Sequence, residues 1–282
     1  MSAVTNPISV PARRLEGRIA LVVGGGADGP PRPGETLAMG NGRAIALRLA
    51  AEGATVAVTD IDADSAAATV AAAGGGLAIQ ADLADPEACR EAVARTEREL
   101  GPIDIVVLNA AISGRQPLRA QTLEDWERSA HVNVRGHWVT AQAALEPMLA
   151  RGRGAFVFVG STGGTLSSGA SLAYEATKAA QMAVMRHIAV RYGARGIRSN
   201  GVVLGIIDST MVRRTYGDGA DRHAARSSVV PMRREGAPEE AAAAAAFLAS
   251  DDASYVNGHA LVVDGGVSAA WPSPPAVPGG KQ

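Results

Sequence analysis

The chain of 282 residues holds one cysteine, two lysines, no excess of either charge and no long apolar run, and each scarcity removes a class of function. The single thiol, Cys89, cannot form an internal disulfide or a multi-cysteine metal site. The five histidines show no close ligand spacing, so no metal centre is expected. Balanced charge, 27 basic against 28 acidic residues, gives no bulk attraction to nucleic acid or to an anionic membrane. No apolar stretch approaches the roughly 18 residues of a membrane span, and MSAVTNPISVPARRLEGR lacks the apolar core of a signal peptide. These absences predict a cytoplasmic protein without nucleic-acid or membrane partners.

What is present is core-forming sequence: 47% of the residues are hydrophobic, enough to bury a substantial interior. Short β-rich apolar runs alternate with longer alanine-rich stretches. The runs predict strands at Ile19–Val23, Thr55–Thr59, Leu77–Gln80, Ile105–Leu108, Ala155–Val159, Ser199–Val203 and Ala260–Val263. Between them, helices are predicted at Gly42–Ala51, Asp64–Ala73, Pro86–Leu100, Leu123–Leu149, Leu172–Tyr192 and Pro238–Leu248. Strands that are apolar throughout and separated by helices predict a single doubly wound α/β domain, a seven-stranded parallel sheet with helices on both faces. Ligands in such folds bind at the carboxyl ends of the strands, where the chain order reverses. At the far end, Trp271 to Gln282 carry four prolines and two glycines, which exclude regular helix or central strand and predict a tail.

The first strand-to-helix connection lies in LVVGGGADGPPRPGETLAMGNGRAIALRLAAEGATVAVTD, Leu21 to Asp60. An apolar run ends in Gly24-Gly25-Gly26, a helix starts at Gly40-Asn41-Gly42, and twelve residues, Asp28 to Met39, lie between them. Glycine there lets backbone approach a pyrophosphate closely, and the helix N-terminus offers unpaired N–H groups to the anion. Thr55–Thr59 leads into Asp60, eighteen residues past Gly42, where a carboxylate can accept hydrogen bonds from an adenosine ribose and repel a 2′-phosphate. The pattern predicts a dinucleotide site that takes NAD in preference to NADP. Gly74-Gly75-Gly76 lacks the strand-turn-helix context and reads as a surface turn. Pro30, Pro31 and Pro33 restrict the intervening loop, which predicts a fixed flap.

The catalytic signal is SLAYEATKAA, Ser171 to Ala180. Tyr174 and Lys178 stand four apart in a helical stretch, so both project from one face toward a common ligand. An ammonium beside a phenol stabilises the phenolate and lowers a pKa that is otherwise about 10. Of the 27 basic residues only Lys178 and Lys281 are lysines, and Lys281 is in the tail. Four tyrosines and two lysines would show this spacing by chance in roughly three sequences in a hundred, so the pair reads as acid–base machinery.

With these residues the sequence resembles the short-chain dehydrogenase/reductase family over about 18–268. Val23, Gly24, Gly40 and Gly42 resemble its Thr-Gly-x-x-x-Gly-x-Gly turn, with 28–39 inserted. GPIDIVVLNAAI resembles the family's Asn-Asn-Ala-Gly strand end, giving Asn109 and Ala110 as cofactor-supporting residues, with Leu108 in place of the first Asn and Ala111 in place of Gly. ADLAD places Asp82 and Leu83 where the family contacts adenine. HVNVRGHW supplies Asn133, which matches the asparagine that holds a relay water, and VFVGSTGG supplies Ser161, thirteen residues before Tyr174. NGVVLGIIDSTM resembles the segment that holds the nicotinamide, with Ile207 and Ser209 as carboxamide contacts and Leu204 in place of Pro. NGHALVVDGG resembles the last strand. Taken singly, a serine after a strand or an asparagine in a helix is a turn or capping residue; the joint spacing carries the functional reading.

The resemblance implies a Rossmann-like domain over 18–268, between an N-terminal extension over 1–17 and a tail over 269–282, with a substrate lid over about 208–230. It implies hydride transfer between the nicotinamide and a small-molecule alcohol or ketone. Tyr174 exchanges the proton, Ser161 bonds the substrate oxygen, Lys178 binds the ribose and tunes Tyr174, and Asn133 anchors the relay water. Asn41 joins Gly24, Gly40, Gly42 and Asp60 in the cofactor turn. A homo-oligomer, tetramer or dimer, is implied as well. Pocket residues are expected from Ser113–Gln116, Thr162–Ser171 and Met211–Ser228. Within the last, Arg213, Arg214, Arg222, His223 and Arg226 form a cluster that reads as a solvated basic face or as a partner for an anionic substrate. The alternative function is a nucleotide sensor or scaffold with little turnover, the insertion having altered the site.

Overall fold

The computed structural model of the chain describes residues 13–32 and 34–270. Pro33, the tail Trp271–Gln282 with Lys281, and the first twelve residues of the N-terminal extension lie outside the described residues.

Seven apolar runs form β1 (Ile19–Val23), β2 (Thr55–Asp60), β3 (Leu77–Gln80), β4 (Ile105–Leu108), β5 (Gly154–Ser161), β6 (Ile197–Leu204) and β7 (Ala260–Val263). They pair in the order β3-β2-β1-β4-β5-β6-β7, every pair parallel. The chain winds outward from β1 to β3, then crosses back to β4 on the other side of β1. That crossover opens a crevice at the carboxyl ends of β1 and β4.

Because side chains alternate faces along a strand, β1 feeds two cores. Ala20 and Val22 pack beneath α1 (Asn41–Ala51), α2 (Ala63–Ala72) and α9 (Pro238–Ala249), while Leu21 and Val23 face α3 (Pro86–Glu99), α5 (His137–Arg151) and α6 (Leu172–Tyr192). Ala46 of α1 and Ala245 and Ala246 of α9 are fully buried, and their small side chains suit a close approach of the two helices. Fully buried Leu49, Ile105, Phe156 and Phe158 contribute roughly 1.5–3 kcal/mol each by leaving water. Side-chain oxygens of Asp62, Asp85 and Thr122 cap the N-termini of α2, α3 and α4 (Leu123–Ala130).

The helix expected over Leu123–Leu149 is interrupted. Between α4 and α5 the chain makes one π-helical turn, His131–Gly136, in which Asn133 is buried. Apolar spacing does not distinguish i→i+5 from i→i+4 pairing, so sequence periodicity runs through the turn unchanged. Two further helices, α7 (Thr210–Tyr216) and α8 (Ala220–Ser228), fold from the segment read only as a lid. Both are short and lie on the surface, which leaves little apolar period to detect. No helix among the described residues is long and apolar enough to cross a membrane.

Candidate active site

The glycines at the end of β1 are fixed by contact. Gly24 has φ +75°, and a Cβ there would collide with Ala110; a Cβ on Gly42 would strike the carbonyl of Gly24. Thr59 O accepts the N–H groups of Gly24 and Gly25 at 2.8 and 3.0 Å, and Asn109 Nδ2 donates to Gly24 O at 2.6 Å. Ala110 N donates to Val23 O at 2.9 Å. Gly40 has no side chain with which to cap α1, and the first turn carries no acid, so the N–H groups beginning at Asn41 are free for an anion. Asn41 Oδ1 is buried without a partner. Asp60 Oδ2 accepts from Gly26 N at 2.9 Å and Oδ1 from Asp62 N at 3.1 Å, which sets the carboxylate against the glycine turn at the end of β2. Asp82 caps its own turn through Ala84 N at 2.8 Å, beside buried Leu83. These residues fit a dinucleotide: a side-chain-free backbone cradle, an uncapped helix start and an acid one strand away.

The inserted loop is packed on the lid. Asp28 N donates to Thr210 Oγ1 and Thr210 N to Met39 O, both at 3.2 Å, so the two ends of the loop grip the first residue of α7. At its middle, Arg32 forks onto Asp208 at 2.9 and 3.2 Å and reaches Asp218 at 2.6 Å. Arg214 pairs with Asp28 at 2.5 Å, and Arg213 with Asp208 at 2.8 Å and Glu35 at 3.7 Å. Buried Arg43 ties the loop's end to α2, bonding Thr69 Oγ1 at 2.8 Å, the Ser65 carbonyl at 3.0 Å and the Ala38 carbonyl. The basic cluster of the lid is thereby largely matched by acids. Arg213, Arg214, Arg226 and His223 all have carboxylate partners, and only Arg222 of the five has none among the described residues.

Burial raises the Asp208 carboxyl, but the Arg213 and Arg32 guanidinium groups outweigh it and hold it low, while Glu235 and then Asp218 push His223 up. Asp208, His223 and Glu235 place ligand atoms within 4.8 Å of one another, a grouping the sequence spacing did not reveal. The positive charge among them is already supplied by Arg32, Arg213 and Arg226.

Across the crevice, Ser161 ends β5 and its Oγ accepts from Gly163 N at 3.1 Å. Gly163 sits between Ser161 and Tyr174: a Cβ there would lie 3.4 Å from Ser161 Oγ and 3.7 Å from the Tyr174 ring. Lys178 Nζ stands 5.6 Å from the centre of the Tyr174 ring and donates to Val159 O at 2.8 Å. Asn133 Oδ1 accepts from Ile112 N at 2.8 Å, and its Nδ2 donates to Ile112 O and Thr177 Oγ1, both at 3.0 Å. The π-helical turn thus brings Asn133 to α6, one residue before Lys178. Ile207 is buried and bridges to Gly236; Ser209 is spent as the N-cap of α7, accepting from Val212 N at 3.4 Å.

Electrostatics differ from the sequence expectation. Burial pushes the Tyr174 phenol up, the Ser161 hydroxyl acts the other way, and Lys178 is turned to Val159. Burial alone lowers Lys178 to about 7. The unfolded lysine titrates near 10.4, so between about pH 7 and 10 the unfolded chain binds the additional proton and the folded protein gains stability as pH rises. A melting series from pH 7 to 9.5 on cofactor-free protein is expected to show wild-type Tm rising relative to Lys178→Met. Parallel curves for the two proteins would contradict it.

Three polar residues behind the site escaped sequence reading. Gln181 Nε2 donates to Asn133 O at 2.5 Å and lies 2.8 Å from Nδ1 of His137; Thr177 supports Asn133. Burial lowers His137 to about 3, so the ring is neutral. Their only signal was polarity at positions where α5 and α6 face the interior.

A glycine turn that fits a dinucleotide at the β1–α1 connection, with a hydroxyl, a phenol and a lysine grouped at the strand ends of the same sheet, points to a dinucleotide-dependent oxidoreductase. The chain belongs to the short-chain dehydrogenase/reductase family and acts on CH–OH or C=O groups. The family model described as enoyl-(acyl carrier protein) reductase matches residues 37–268, beginning three residues before Gly40. The chain is 41% identical over 223 residues to the inactive 2-(S)-hydroxypropyl-CoM dehydrogenase 2 of Xanthobacter autotrophicus, covering 77% of this chain and 96% of that one. It is 35% identical over 260 residues to D-threitol dehydrogenase of Mycolicibacterium smegmatis, covering 90% and 94%. The crystal structure of levodione reductase superimposes with a TM-score of 0.83 at 33% identity, covering 92% of this chain and 100% of that one.

Proposed function

We propose that the protein is an NAD(H)-dependent oxidoreductase that interconverts a secondary alcohol and its ketone, with Tyr174 as the proton donor and acceptor. The observation that carries this reading is the grouping of Ser161, Tyr174 and Lys178, with Asn133 bonded to Thr177 beside Lys178, at the carboxyl ends of the same parallel sheet as the glycine turn. A bound nicotinamide dinucleotide supplies the hydride acceptor or donor. The Ser161 hydroxyl bonds the substrate oxygen, Tyr174 moves its proton, and Asn133 fixes the backbone of Ile112 against α6. Gly24, Gly40, Asn41 and Gly42 hold the pyrophosphate, Asp60 the adenosine ribose, Asp82 and Leu83 the adenine, Asn109 and Ala110 the turn, and Ile207 the carboxamide, the Ser209 hydroxyl being engaged with Val212 N instead. D-threitol dehydrogenase and levodione reductase, by their names, act on an alcohol and a ketone, which supports this substrate class.

Oxidation of NADH followed at 340 nm against a panel of cyclic and acyclic ketones tests the reading: turnover is expected. Firm NADH binding with no turnover would favour the sensor or scaffold function, and one relative's name does carry the word inactive. Asp60 carries the cofactor choice. Asp60→Asn keeps an oxygen for Gly26 N but loses the charge, and is expected to narrow the NADH-over-NADPH preference about tenfold, since like charges a few ångströms apart cost on the order of 1–4 kcal/mol. An unchanged ratio of the two dissociation constants would remove Asp60 from that role.

The insertion over 28–39 is read as a strap closing over the pyrophosphate, because both its ends grip Thr210 beside the cradle. Exposed Trp138 and Val190 on α5 and α6 support assembly as a dimer or tetramer, which sedimentation velocity reads directly.

A further inference from the structure

We propose that Arg115 binds an acidic group on the substrate, a carboxylate or sulfonate, at the mouth of the crevice that holds Tyr174. The inference rests on the oxidoreductase reading and narrows its substrate class.

Arg115 lies in the segment between β4 and α4, and both sides of that segment are fixed. Ile112 is bonded twice to Asn133, and Gln116 O accepts from Leu172 N at 3.2 Å, two residues before Tyr174. Arg115 therefore belongs to the rim of the crevice. Its guanidinium carbon stands 5.7 Å from the centre of the Tyr216 ring, the last residue of α7. The pair thus joins the β4–α4 segment, which is bonded to the start of α6 just before Tyr174, to the lid.

What marks Arg115 is this place at the rim combined with a missing counter-charge. It is exposed and has neither a hydrogen-bond acceptor nor a carboxylate partner among the described residues. The acids near it are committed elsewhere: Asp125 to Thr122 and Gln116, Glu175 to Ser167 and Ser168, and Asp208 to Arg32 and Arg213. A guanidinium near an aromatic ring and without a hydrogen-bond acceptor of its own has its N–H groups available for a second partner, and their fork matches a carboxylate or sulfonate in paired hydrogen bonds.

The probes are acetoacetate, levulinate and 5-oxohexanoate, each beside its methyl ester, with NADH and the wild-type, Arg115→Met and Arg115→Lys proteins. The acids are expected to show KM values about tenfold or more below their esters. Arg115→Met should raise the KM of the acids about ten- to a hundredfold, the worth of a charged hydrogen-bonded contact, with kcat nearly unchanged and the esters unaffected. Arg115→Lys should fall between, because it keeps the charge and loses the fork. Quenching of bound-NADH fluorescence by the same ligands gives an equilibrium readout that needs no turnover. Esters binding as well as acids to the wild type, or Arg115→Met weakening both alike, would overturn the proposal while leaving the oxidoreductase reading intact. Acid-selective binding lost in Arg115→Met, with no reduction of any ketone, would uphold the anion site and defeat the oxidoreductase reading instead.

Discussion

Tyr174→Phe is expected to lower kcat by about 10²–10⁴, the range of a positioned general acid or base, and to leave NADH affinity within about twofold. The substitution removes one oxygen and little else. The aromatic ring keeps its place beside Gly163, and Ser161 Oγ retains the N–H of Gly163, so no buried group is orphaned by the change. Lys178 keeps its bond to Val159, so neither the fold nor the cradle has cause to move. Stopped-flow NADH binding and steady-state turnover, measured on the same preparation, separate the two quantities. Turnover within tenfold of wild type would mean that the proton comes from another group. A parallel loss of NADH affinity would mean that Tyr174 acts mainly in binding.

The second large effect concerns the strap. Arg32→Ala is expected to speed NADH release about tenfold or more, and to reduce the salt dependence of that rate. The side chain is the centre of the contact between loop and lid, with a two-point bond to Asp208 and a further bond to Asp218. At 30% exposure for Arg32 and 23% for Asp208, this pair is better shielded than a surface ion pair, and a tenfold change needs about 1.4 kcal/mol. Alanine also leaves Asp208 with Arg213 alone, which still satisfies it and keeps α7 in place. Deleting 28–39 should release NADH faster still, because both ends of the strap also grip Thr210. Release rates unchanged in both variants would mean that the insertion does not cover the cofactor.

Much of this architecture was legible because a buried parallel sheet writes itself in apolar runs. β1, β3, β4 and β7 have the bounds that their runs predict, and β5 and β6 only extend them, into Ser161 and Leu204 at the ends that carry the site. The shared face of Tyr174 and Lys178 was legible from four-residue spacing, since α6 is regular there. The π-helical turn that aims Asn133 was not, because it changes backbone pairing without changing the apolar pattern. The loop–lid contacts were invisible for another reason: Arg32 and Asp208 stand 176 residues apart, and no local pattern announces a pairing made only through space. The same gap explains the basic cluster, which in isolation looked free and in the fold is mostly matched by Asp28, Glu35, Asp208 and Glu235. The phenol of Tyr174 was expected to be lowered by Lys178, whereas burial raises it. Spacing places two groups on one face and says nothing of the dielectric around them.

Calorimetric titration of the purified protein with NADH and, in parallel, NADPH tests the central claim most directly. Saturable binding of NADH, with NADPH at least tenfold weaker, is the predicted result if the glycine turn takes the pyrophosphate and the Asp60 carboxylate opposes a 2′-phosphate as proposed. Binding of neither dinucleotide would mean that the strap closes the site against its own cofactor. A preference for NADPH would contradict the role given to Asp60.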